Sequence, residues 1–154
     1  MKMRREAQRG GALVEFAMIA PFMVIIFMSA IEFGYVMYLK HTVDYAARIG
    51  SRWAAVRGNV CSDSSVCPAT AAEIQTYVRS VVPGLASPAA VTPTWTAPPS
   101  SYKLQPTGTC GSGTDETPGC VVNITVTKPI RFVIPFITTK SITLTSSSQA
   151  VIQN

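Results

Sequence analysis

A lone carboxylate in an apolar run, four cysteines and one histidine are the residues of this sequence whose chemistry needs a setting. Glu15 carries the only charge in the stretch from Gly11 to Ile31, GALVEFAMIAPFMVIIFMSAI. An ionised carboxylate in hydrocarbon costs at least about 2.5 kcal/mol near the centre of a bilayer, so such a group is usually partnered or functional. The competing reading leaves Glu15 close enough to the end of the run to reach the headgroups. The cysteines stand at positions 61, 67, 110 and 120, as Cys-x5-Cys and Cys-x9-Cys. Zinc ligands favour pairs separated by roughly two to four residues, and the sole histidine, His41, is distant in sequence, so no metal is expected. One histidine and seven acidic residues scattered through residues 11–154 give no base, nucleophile or metal constellation, so no catalytic residues are assigned. The glycine-rich segment at 108–113 lacks the Lys-Ser/Thr ending of a phosphate loop and reads as an ordinary loop. No cofactor is implied.

The elements that must hold these residues begin with the apolar run itself. At about 1.5 Å per residue it is long enough to cross a hydrocarbon core of about 30 Å as one helix. Lys2, Arg4, Arg5 and Arg9 precede it and Glu32 follows it. The positive-inside rule then puts the N-terminus in the cytoplasm and the remainder outside. A cleaved secretory signal would have a shorter apolar region and a small-residue cleavage site, which Ser29-Ala30-Ile31 matches poorly. The chain's formal charge of +5 is concentrated in that leader, which leaves little basic surface for nucleic acid.

Helical patterning continues through FGYVMYLKHTVDYAARIGSRWAAVRG, with the next proline only at Pro68, so a helix is expected from Ala12 to Arg57. Pro21 cannot donate to the Ala17 carbonyl and marks a candidate kink. Val43, Ala46, Ala47, Gly50 and Ala54 form a stripe of small side chains that either packs on the chain's own domain or on another subunit. Asp44 and Arg48 are spaced to pair on another face.

Read together, the basic leader, Gly10, Glu15-Phe16 and the long amphipathic extension resemble the type IV pilin-like proteins. The sequence is more similar to the TadE-like family of the tight-adherence (Flp) pilus system: Gly11-Ala12-x-x-Glu15-Phe16, the early Pro21 and Glu32-Phe33-Gly34 match its start, and AARIGSRWAAVRG its second helical motif. The likeness is specific over residues 9–58. It implies a minor pilin or pseudopilin whose leader is cut by a membrane prepilin peptidase between Gly10 and Gly11, with a cut after Gly11 as the alternative. Glu15 would become the fifth residue of the mature chain and, with Phe16, an assembly determinant. Gly11 departs from the phenylalanine that many type IV pilins carry at the first mature position.

Beyond the helix, Thr70 and Glu73 have the spacing of a capping box, and Ile74, Tyr77, Val78, Val81 and Val82 share one helical face, which predicts a short amphipathic helix ending before Pro83. Six prolines between Pro83 and Pro106 leave room only for a short edge strand at residues 91–96. Val122, Ile124 and Val126 alternate with polar residues, and 130–137 and 142–151 are rich in β-formers, with Pro129 and Pro135 expected at strand ends, edges or bulges. The four cysteines fall in an oxidising compartment by this topology, and local Cys61–Cys67 and Cys110–Cys120 pairs are preferred among three possible connectivities.

The expected fold is therefore α+β: a basic cytoplasmic leader at 1–10, a transmembrane helix at 11–33, its extracytoplasmic extension at 34–58, and a small disulfide-bearing domain at 59–154 with a short helix and an antiparallel sheet. The leading function is a structural or assembly component of a pilus, not an enzyme. Its partners would be the inner membrane, the prepilin peptidase, other pilin subunits and the pilus assembly machinery. The alternative is a membrane-anchored extracytoplasmic binding module or adhesin, with Trp95, Tyr102 and the cysteine loops as its recognition surface.

Overall fold

The computed structural model describes residues 3–60, 67–85, 89–103, 105, 106, 108–111, 117–131 and 141–153, with side chains from Gly11 onward. Three helical segments and a three-stranded sheet follow in the order α1 (Met3–Ala55), α2 (Ala71–Val81), a 3-10 turn (Pro83–Leu85), β1 (Ala90–Thr96), β2 (Val121–Arg131) and β3 (Ser141–Val151). The architecture is α+β, as the patterning predicts.

The first helix is unbroken for 53 residues and carries Pro21 inside it. It ends at Ala55, two residues before the expected Arg57, where the Arg57 amide turns back to the Ala54 carbonyl. Its two halves have opposite surroundings. Leu13, Phe16, Phe22, Phe27 and Phe33 are exposed, whereas Leu39, Val43, Ala46, Ala47 and Ala54 are buried. The small-residue stripe thus packs on the chain's own domain, against β2 and β3.

Its close approach depends on Gly50. A Cβ there would lie 2.9 Å from Val78 Cγ2 and 3.3 Å from Ile124 Cγ2, so the helix backbone itself touches α2 and the sheet. Asp44 pairs with Lys40, at 2.7 Å, in place of the expected Arg48. The Lys40 ammonium, and next the Ser146 hydroxyl, hold the Asp44 carboxyl below its ordinary value. Lys40 precedes Asp44 by one helical turn, as Arg48 follows it by one. The bond to Ser146 on β3 is the tertiary contact that sequence spacing does not register.

The capping box that opens α2 is complete: the Glu73 amide donates to Thr70 Oγ1 at 3.3 Å and the Thr70 amide donates to Glu73 Oε2 at 2.8 Å. Ile74 and Val78 are fully buried, and Tyr77 stacks on Trp53 of α1 with ring centroids 4.9 Å apart. The Arg57 guanidinium lies 4.3 Å from the Trp53 ring centroid, so one aromatic pair fastens α1 to α2 and carries a cation as well.

The sheet has strand order β1-β2-β3 and is antiparallel throughout. Val122, Ile124 and Val126 turn to the helices and are buried, while the residues between them face outward. Pro93 sits in edge strand β1. Pro129 lies in the central strand, but β1 reaches only as far as Thr127, so β2 has an open side at that point and loses no ladder bond there. Pro135 lies outside the described residues.

Cys110 and Cys120 are bonded, with Cα atoms 5.6 Å apart. Cys67 is also disulfide-bonded, and Cys61, its expected partner, lies outside the described residues. Gly119 precedes Cys120 with a φ of 97°, and a Cβ there would meet the Pro106 backbone at 3.0 Å, so both its conformation and its surroundings require glycine. The Gly119 and Ile152 amides then bond across to the Ile152 and Cys120 carbonyls, and the Gln153 amide reaches the Ala55 carbonyl. One knot ties the disulfide, the chain's C-terminal strand and the end of α1. Opening it by Cys110→Ala is expected to lower domain stability by about 3 kcal/mol, the scale for a loop of this length. Thermal unfolding of the detergent-solubilised chain checks this. Cys110 is the suitable partner to replace, because it is only partly buried and leaves no core cavity.

Candidate functional site: the exposed half of the long helix

The functional residues expected from sequence lie at opposite ends of the molecule. Gly11, Glu15 and Phe16 are exposed near the start of α1. The Cys110–Cys120 bridge lies beside the helix end at Ala55, about 65 Å away along the axis. Gly10 is helical in its backbone.

From Gly11 the helix is apolar on every side, with a mean hydropathy of 2.2 over its most apolar window, and none of that window is buried in the chain itself. A helix hydrophobic all round belongs in lipid or among other helices. This is a single-pass membrane anchor. Glu15 stands one turn after Gly11, on the same helix face. Gly11 has nothing within 4 Å of where a Cβ would be, and Gly34 is equally open. Phe16, 69% exposed, projects from the helix without a packing partner among the described residues.

Against this geometry, one family model aligns with the start of the chain, over residues 10–52. That stretch is TadE-like. It covers Gly10, Glu15, Phe16 and the whole exposed half of α1, and it ends inside the small-residue stripe. TadE-like proteins are a pilus-associated structural family. No curated protein and no solved structure matches the chain significantly.

Among the described residues, no three His, Cys, Asp or Glu side chains lie close enough to hold a metal ion. His41 is exposed and lines a shallow recess of about 340 Å³ with Tyr38, Thr42, Tyr45 and residues 81–84. Trp95 is half-buried against the core and Tyr102 is exposed, so the two aromatic residues assigned to a recognition surface differ in availability. The contacts that sequence reasoning missed are those between helix and sheet, such as Ser51 Oγ at 2.9 Å from Ser148 Oγ. Isolated serines give no local signal of a partner 97 residues away.

Proposed function

We propose that this chain is a minor pilin or pseudopilin of a tight-adherence (Flp) pilus, acting as a structural and assembly component. The single observation that carries this reading is the exposed apolar helix with Glu15 one turn from Gly11, inside the TadE-like segment. A helix of this kind serves both as a membrane anchor and, after leaving the bilayer sideways, as the packing element among other subunits. The basic leader puts the N-terminus on the cytoplasmic side of the inner membrane and the sheet domain in the periplasm. A prepilin peptidase cuts between Gly10 and Gly11, where glycine lets the protease approach the backbone. The domain carries no catalytic role; it is the part presented to other pilin subunits and to the assembly machinery.

Intact mass of the protein extracted from membranes is expected to lack residues 1–10 in cells with an active prepilin peptidase, and to retain them when the peptidase is deleted. A full-length mass in both strains counts against the pilin reading. It would leave the tethered binding module, whose anchor needs no processing.

A further inference from the structure

We propose that the end of the sheet where β2 and β3 leave their ladder, marked by Ile130, Arg131, Ser141 and Ile142, is a second membrane contact that rests on the phospholipid surface crossed by α1. This goes beyond the pilus reading and rests on the single-pass anchor alone.

Strand β3 runs in the same direction as α1. Asp44 bonds Ser146, Ser51 meets Ser148 and the Ala55 carbonyl accepts from Gln153, so both elements advance together away from the anchor. Ser141 precedes Ser146 by about 17 Å of strand, which equals about eleven helical residues. Counted back from Asp44, Ser141 and its ladder partner Arg131 come level with Phe33. A second path gives the same height. Lys128 Nζ donates to the Gly84 carbonyl, and a Cβ on Gly84 would lie 3.3 Å from Thr42 Cγ2 and 3.7 Å from the Tyr38 hydroxyl. Arg131 lies three strand residues, about 10 Å, closer to the anchor than Lys128, again near Phe33.

The helix surface records the same boundary. Ile31 and Phe33 are exposed, but Glu32 and Val36 are half-buried and Leu39 and Val43 fully so, so the domain begins to cover α1 at Glu32. Tyr35 and Tyr38 are exposed just beyond it, where an interfacial aromatic belt belongs. The sheet end therefore comes down to the height at which the apolar span stops.

Its side chains suit that depth. Ile142 shares the helix-facing side of β3 with Leu144, Ser146 and Ser148, yet is 49% exposed. Arg131 is exposed, whereas the nearest other cations among the described residues are engaged, Lys128 with Gly84 and Lys40 with Asp44. At headgroup height the exposed Ile142, on the helix-facing side, suits acyl-chain ends, and the exposed Arg131 guanidinium, on the opposite face of the same sheet end, suits lipid phosphate. A basic side chain near an anionic surface is worth a roughly fivefold shift in favour of contact.

The test uses the full chain in vesicles of mixed phosphatidylglycerol and phosphatidylcholine with brominated acyl chains, which quench nearby tryptophan. The native Trp53 and Trp95 lie toward the far end of the domain, Trp95 opposite Val122, and supply an unquenched background. Ile142→Trp is expected to lose about half of its added emission, at interfacial depth, whereas Gln149→Trp on the same strand keeps its own. Adding Arg131→Gln is expected to weaken quenching at position 142 in the anionic vesicles and to leave it unchanged in pure phosphatidylcholine. Phe22→Trp reports the anchor. Its strong quenching together with an unquenched Ile142→Trp overturns the proposal while the anchor stands, and an unquenched Phe22→Trp overturns both. Equal quenching at positions 142 and 149 also overturns it, since the domain would then lie on its side.

Discussion

Glu15→Gln protein is expected to reach wild-type abundance in the membrane and to be nearly absent from assembled pili. The substitution removes the only charge between Gly11 and Ile31. Insertion should survive, because an ionised carboxylate opposes burial in hydrocarbon by at least about 2.5 kcal/mol and glutamine lowers that cost. Assembly responds in the opposite direction. With the leader cut as proposed, Gly11 would carry an α-amine one helical turn from Glu15, and in a low-dielectric bundle of helices each charge would offset the desolvation of the other, on its own or a neighbouring subunit. Removing one member of a buried pair leaves the other uncompensated, a loss of about 3–5 kcal/mol, or roughly two to four orders of magnitude in incorporation. Pilus fractions sheared from cells with equal membrane levels of the two proteins give the comparison, with intact mass confirming that both leaders are cut. Normal incorporation of the glutamine variant would reduce Glu15 to a headgroup-facing side chain and sink the pairing.

A second large effect is expected at Gly50, this time on stability. Valine would place three carbons where even a Cβ stands 2.9 Å from Val78 Cγ2 and 3.3 Å from Ile124 Cγ2. Both neighbours are fully buried, so neither can swing away into solvent. Helix propensity favours the replacement by a few tenths of a kcal/mol, since glycine is the poorer helix former. Overpacking opposes it by about 1–3 kcal/mol and decides the sign. For a domain of this size a loss of that order lowers Tm by about 5–15 °C. Near-ultraviolet circular dichroism of the solubilised chain follows the change through Trp53 and Trp95. Gly34→Val is the matched control, because glycine 34 has open space around it and the same substitution there should leave the domain's melting unchanged. A wild-type Tm for Gly50→Val would mean that α1 and α2 do not meet as closely as their contact through Val78 requires.

The elements of this protein follow from periodicities that act within a few residues. An uninterrupted apolar run makes the long helix, a Thr70–Glu73 box starts α2, and alternation at 121–127 makes a half-buried strand; each is a local pattern that any copy of the segment would carry. The TadE-like resemblance is also local, confined to the first helix, which is why the likeness could be read from the sequence. What the sequence left open were choices between partners equally spaced along the chain. Small residues at 43, 46, 47, 50 and 54 suit any close neighbour, and only the folded domain assigns them to its own sheet and to Val78 rather than to another subunit. Asp44 has a cation one turn away on each side, and a hydroxyl on β3 accompanies its pairing with Lys40. Pro129 reads as a break in a central strand until the shorter β1 is seen to leave that side of β2 open. The direction of β3 along α1, which sets the height of Arg131 and Ile142 relative to the anchor, rests on hydrogen bonds between residues about a hundred positions apart. Such contacts depend on how whole elements dock, and docking is set by the shapes of the assembled faces, which no short window of sequence contains.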